Sequence, residues 1–239
     1  MKKLIGVALA AGATVMSAGA ANAEVSGSVA LVSDYVFRGI SQTDGGAAIQ
    51  GSLDWSNDMF YAGVWGSNVN YGATGTTELA SMELDAYVGV TPTTGPVSWD
   101  IALVGYFYPN ADDELAGGEL DYYEGIVGAS MDLTEQFSVG GQVAYTPEYF
   151  GETGEGIYYE INAGYAVSDA VSFSAAYGVQ DNDFATDSYS TWNVGGAYAI
   201  HGFTLGATYS DTEDAFENGY SLDETNSDGR FVFSIGREL

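Results

Sequence analysis

The chain has 239 residues and carries 33 Asp and Glu against 5 Lys and Arg, a formal net charge of -28. That excess excludes nucleic acid and other polyanions as partners, because binding them needs clustered Lys and Arg. An apolar fraction of 46% with 14% aromatics excludes a disordered acidic tail, and with no Cys an exported chain must hold together without disulfides.

The N-terminus reads as an export signal. Lys2 and Lys3 precede an apolar run from Leu4 to Met16, and the small-residue site Ala21-Asn22-Ala23 comes next. The expected division is a signal peptide over 1–23, cleaved after Ala23, and one domain over 24–239. Cleavage removes two basic residues and leaves Arg38, Arg230 and Arg237 against all the carboxylates. Beyond residue 23 no unbroken apolar stretch approaches the roughly 20 residues of a membrane helix.

From Val25 onward the side chains alternate with period two, the strand period. The first segment, Val25 to Arg38, puts Val29, Leu31, Tyr35 and Phe37 on one face and Ser26, Ser28, Asp34 and Arg38 on the other. The second, Ala47 to Trp55, sets Ile49, Leu53 and Trp55 against Gln50, Ser52 and Asp54; the third, Met59 to Asn68, is Gly-rich and hard to phase. In the fourth, Met82, Leu84, Ala86, Val88 and Val90 oppose Glu83, Asp85 and Tyr87. The fifth opposes Val97, Trp99, Ile101, Leu103 and Phe107 to Asp100, Ala102 and Tyr106. Strand six spans Leu120 to Leu133, seven runs from Phe137 to Thr146, and eight sets Ile157, Tyr159, Ile161, Tyr165 and Val167 against Glu160 and Asn162. Val171 to Gln180, Trp192 to Ile200, Phe203 to Tyr209 and Arg230 to Leu239 complete twelve.

Connections alternate in length: long polar segments over 67–80, 109–118, 147–156 and 211–228, and short ones such as Ser56-Asn57-Asp58, Ser168-Asp169-Ala170 and His201-Gly202. An even strand number with this alternation predicts an all-β fold: a transmembrane antiparallel β-barrel with short periplasmic turns and longer acidic extracellular loops. A soluble β-sandwich uses the same alternation, but its water-facing side usually carries Lys and Glu. Here the polar face is Ser, Gly, Ala, Asn, Gln and scattered acids, with no Lys after residue 3. Tyr35, Trp55, Trp99 and Tyr165 fall where aromatic girdles meet lipid headgroups.

Residues 33–43, Ser-Asp-Tyr-Val-Phe-Arg-Gly-Ile-Ser-Gln-Thr, with Tyr-Ala-Gly-Val-Trp-Gly-Ser-Asn at 61–68, resemble the proteobacterial Gcw_chp family, also called the TorF-type porin family. The resemblance implies an outer-membrane barrel whose transported substrate is not established, and it supplies no catalytic residues. The expected partners are outer-membrane lipid, lipopolysaccharide, small solutes and the barrel-assembly machinery, which reads a C-terminal strand such as Phe231, Phe233 and Ile235.

Catalysis has poor support, since the lone His, His201, stands in a turn beside Gly202; the expectation is a protein that is not an enzyme and takes no cofactor. Clustered oxygens at Asp112 and Asp113, and at Asp181 and Asp183, are weak candidates for a hard cation, and neither cluster matches the calcium-loop spacing. The arginines carry more information. Parity points Arg38 and Arg230 into the lumen on strands that closure makes neighbours, with Asp34 and Asp100 on the same polar face. Across the mouth stand Glu83, Asp85, Glu124 and Glu160. A basic patch facing an acidic arc sets a transverse field that orients solutes; alternatively these ions pair inside a plugged lumen. Packing by Tyr106, Tyr122 and Tyr158 favours a closed lumen, a continuous wet path an open one. The sequence thus points to a porin for passive, cation-favouring diffusion of small polar solutes. Its alternative is a non-conducting barrel with a structural or surface-binding role toward divalent cations or envelope polymers.

Overall fold

Strands whose backbone groups face hydrocarbon must pair on both sides, so the sheet has to close on itself. The computed structural model, which describes residues 23–73 and 77–239, shows that closure. Its strands are β1 (Glu24–Val32), β2 (Ala48–Ser56), β3 (Phe60–Ala73), β4 (Thr77–Val90), β5 (Val97–Phe107) and β6 (Tyr122–Asp132). They continue as β7 (Phe137–Thr146), β8 (Gly156–Ala166), β9 (Val171–Asn182), β10 (Tyr189–Ile200), β11 (Phe203–Glu213) and β12 (Arg230–Glu238). Each pairs antiparallel with its sequence neighbours, and β1 meets β12 in a register running from Ser28 opposite Glu238 to Val32 opposite Ser234. The result is a closed 12-strand antiparallel barrel with no free edge. The expected signal peptide and its cut after Ala23 lie almost wholly outside the described residues.

The outer wall is apolar where the alternation predicts it. Ile49, Leu53, Val88 and Ile161 are each more than half exposed. Against water each would cost on the order of 25 cal/mol per Å² of apolar surface, so this belt requires hydrocarbon around it. Trp55, Trp99 and Tyr165 lie exposed on that outer face as a girdle requires. Among the described residues no helix is long and apolar enough to cross a membrane; the crossing is made by strands. The two helices, Asp113–Ala116 and Glu224–Ser227, are single turns in loops.

Two expectations fail. Strand one was expected to run to Arg38, but β1 ends at Val32, and Tyr35, assigned to the outer girdle, is buried inside at 2% exposure. The segment 67–80, expected as a long loop, is mostly strand: β3 reaches Ala73 and β4 starts at Thr77, with register shifts around Tyr71. Those shifts break the period and bury Val69.

Wall glycines make room for lumen tyrosines. Tyr87 lies over Gly63, where a β-carbon would stand 2.6 Å from its ring and 2.5 Å from the Asp54 carboxylate; Tyr61 covers Gly89 and Tyr158 covers Gly178 in the same way. Gly63→Val is therefore expected to destabilise the barrel by about 1–3 kcal/mol through overpacking, read as a lower urea midpoint in detergent. An unchanged midpoint would mean the Tyr87 ring swings aside at no cost.

Candidate functional site

Residues 33–47 leave the wall after β1 and fold into the lumen as a small hairpin, Val36–Phe37 paired with Ile40–Ser41. Its tip is a two-residue turn at Arg38 (φ 48°) and Gly39 (φ 86°), the positive-φ geometry that tight hairpins use. The hairpin base is tied by Asp34, which accepts hydrogen bonds from Ser41 (2.6 Å) and Thr43 (2.8 Å) and an ion pair from Arg230 (2.7 Å). Arg230 also donates to the carbonyls of Asp228 and Thr225 in the last loop.

The tip reaches the far wall. Arg38 donates two bonds to Glu124 of β6, at 2.9 and 2.7 Å, and one to Gln180 of β9 at 2.8 Å. Its guanidinium lies over the rings of Tyr158 (4.3 Å) and Phe37 (4.7 Å), and its carbonyl accepts from the Tyr189 hydroxyl at 2.9 Å. Arg38 and Glu124 side chains are 8% and 1% exposed, so this planar, two-pronged pair is desolvated. Arg38 was expected on the β1 wall beside Arg230, forming a basic patch opposite an acidic arc. Instead the hairpin carries it across the lumen into contact with that arc, because an isolated buried guanidinium must find a carboxylate.

The other predicted residues divide into two groups. Asp34, Arg38, Asp85, Asp100 and Glu160 line a cavity of about 320 Å³ that extends from the hairpin toward the short-turn end. Glu83 and Glu124 are buried against the hairpin, with Glu83 accepting from Tyr35 at 3.1 Å and Glu124 from Tyr106 at 3.0 Å. Tyr61 donates to Asp100 (2.7 Å), Tyr158 to Glu160 (2.9 Å) and Tyr87 to Asp54. Tyr106, Tyr122 and Tyr158 are buried inside, the packing that favours a closed lumen. Sequence reasoning missed Gln180, Trp65 and the inward turn of Tyr35; the Arg38-Gly39 pair was the available signal for the last.

Above the hairpin the longer loops form an aromatic cap. Tyr122 packs on Tyr149 (5.0 Å), Tyr108 on Phe150 (5.2 Å), and Tyr189 and Phe184 on Tyr220 (4.5 and 5.3 Å). Burial pushes the loop phenols of Tyr149 and Tyr220 up to about 12, which extends the uncharged state of the cap into alkaline pH. Of the weak metal candidates, Asp112 caps the first helical turn through the Leu115 amide and Asp183 accepts from the Glu155 amide. Asp113 lies in that turn and Asp181 near the end of β9, and among the described residues no three acids group to hold a metal.

A family model described as a bacterial protein of unknown function, Gcw_chp, matches residues 16–238. The chain belongs to the Gcw_chp family. No curated protein matches its sequence. Among solved structures this family member resembles the KdgM porin, with 10% identity, a TM-score of 0.58, and 90% of this chain and 98% of that chain covered. The same porin in complex with disordered oligogalacturonate aligns at 8% identity and a TM-score of 0.57, covering 91% and 98% of the two chains. The NanC porin aligns at 11% identity and a TM-score of 0.54, covering 89% and 98%. At these identities the likeness is one of fold: a porin-like barrel of the outer-membrane type, whose neighbours are channels rather than enzymes.

Proposed function

We propose that this Gcw_chp barrel is a passive, cation-favouring channel for small polar solutes, exported by a signal peptide cleaved after Ala23, with the 33–47 hairpin as its closing element. The observation that carries the reading is the charge balance below the hairpin. Asp54, Asp85, Asp100 and Glu160 face the lumen, while Arg38 and Arg230 are both committed to carboxylates and Arg237 lies over the Phe203 ring at 5.3 Å. A pore lined by carboxylates with no free guanidinium concentrates cations and repels anions. The oligogalacturonate named with the KdgM porin is a polyanion, and a lumen of this charge disfavours such a solute.

Reversal potentials in a potassium chloride gradient across a planar bilayer test it. The expected result is potassium preference, and either chloride preference or silence from correctly folded protein, including the Arg38→Ala variant, would sink the proposal. The second reading is a sealed barrel that presents acidic loops to divalent cations or envelope polymers such as lipopolysaccharide. Burial of Tyr106, Tyr122 and Tyr158 favours it, and silence from both proteins is the outcome it requires.

A further inference from the structure

Among the described residues each buried carboxylate of the lumen, Asp34, Asp54, Glu83 and Glu124, has a phenol or guanidinium of its own, with one exception. Asp85 is only 5% exposed, it lines the lumen cavity, and its Oδ1 is buried without a hydrogen-bond partner in the protein. A buried carboxylate oxygen left without a donor is costly unless a proton or a cation reaches it.

The neighbours of Asp85 say which kind of cation. In the sheet its direct cross-strand partners are Trp65 on β3 and Tyr106 on β5, so the three side chains project into the lumen as one row. Paired β-carbons across a ladder lie roughly 4.5–5.5 Å apart, which makes both aromatic residues immediate neighbours of the carboxylate. Tyr35 of the hairpin packs edge-on against Trp65 at 5.3 Å and extends the aromatic wall. A carboxylate beside aromatic side chains attracts an ammonium through both Coulomb and quadrupole terms. A hard divalent ion would need about six to eight oxygen ligands, whereas Glu83 is the one further carboxylate on this stretch of β4. The cavity of about 320 Å³ is the size of a small-ligand pocket.

We propose that the lumen cavity binds a small organic cation, a primary or methylated amine, whose ammonium is held by Asp85 between Trp65 and Tyr106. The inference rests on the channel reading, since the site lies in the solute path, and it names the solute class that path would favour.

The test is titration of the folded mature barrel in nonionic detergent with methylammonium and tetramethylammonium chloride, at ionic strength matched with sodium chloride and read by calorimetry. The expected result is saturable binding, weakened about tenfold or more by Asp85→Asn and retained by Asp58→Asn, an equal charge change in an exposed turn. Absence of saturable binding, equal binding by Asp85→Asn, or equally effective displacement by sodium would each overturn the proposal. Should Asp85→Asn fail to assemble, Trp65→Leu takes its place, with the same loss expected and unaltered binding equally fatal. Because no current is measured, a barrel that binds ammonium but never conducts defeats the channel reading alone. One that conducts and ignores ammonium defeats this inference alone.

Discussion

Alanine at position 38 is expected to lower the stability of the folded barrel by about 3–5 kcal/mol and to raise its conductance. The first effect comes from the groups left behind. Glu124 loses both guanidinium bonds while remaining 1% exposed, with Tyr106 its remaining hydrogen-bond donor, and Gln180 loses its partner at 2.8 Å. A single unpaired charge at that depth costs more than the pair contributed. Conductance should rise because the tip of the hairpin then loses its ionic anchor on the far wall and keeps weaker contacts, the Phe37 ring against Tyr106 (6.1 Å) and the Tyr189 bond to the carbonyl of residue 38. Urea unfolding in detergent reads the first quantity, and single-channel current the second. Adding Glu124→Gln to Arg38→Ala should recover part of the stability without closing the pore, since it removes the stranded charge and not the gap. Lysine at 38 should fall between, because it keeps the charge but cannot make the planar two-pronged contact. A fall in stability with wild-type current would make Arg38 a packing residue and nothing more.

The wall of this barrel was legible in the sequence for a simple reason: hydrocarbon outside and polar groups inside impose period two on every crossing strand. That rule alone put Glu83, Asp85, Asp100, Glu124 and Glu160 on the inner face, where the structure has them. It failed at residues 33–47 because a hairpin inside a lumen also has two unlike faces, so the alternation from Ser33 to Arg38 reads as more of the same strand. Two physical signals contradicted that extension. Fourteen residues exceed the roughly 9–11 that a tilted strand needs to cross, and an Arg-Gly pair supplies the positive φ of a two-residue turn. Trp65 was missed because its strand alternates with glycines, Gly63 and Gly66, whose missing side chains serve Tyr87 and Leu84 across the ladder and leave no apolar pattern to phase. The lone status of Asp85 could not be read at all, since it depends on which phenol each acid finds across strands far apart in the chain.

Valine at position 39 separates the geometry of the hairpin from its charge. Gly39 has φ 86°, a conformation that a β-branched residue adopts only under strain, and a β-carbon there would overlap the side chains of Thr191 on β10 and Thr212 on β11. The two penalties together are on the order of 2–4 kcal/mol, and both fall on the seated hairpin while the wall strands keep their full ladders. Gly39→Val is therefore expected to keep the heat-modifiable electrophoretic mobility of a folded barrel and to raise conductance as Arg38→Ala does. Since it leaves the ionised groups of the lumen unchanged in number, its cation preference should stay below that of Arg38→Ala, which removes a positive charge from the path. Raised current in both variants would make displacement of the hairpin their common cause. Raised current in Arg38→Ala alone would mean that the hairpin stays in place and the guanidinium acts only as an electrostatic barrier to cations.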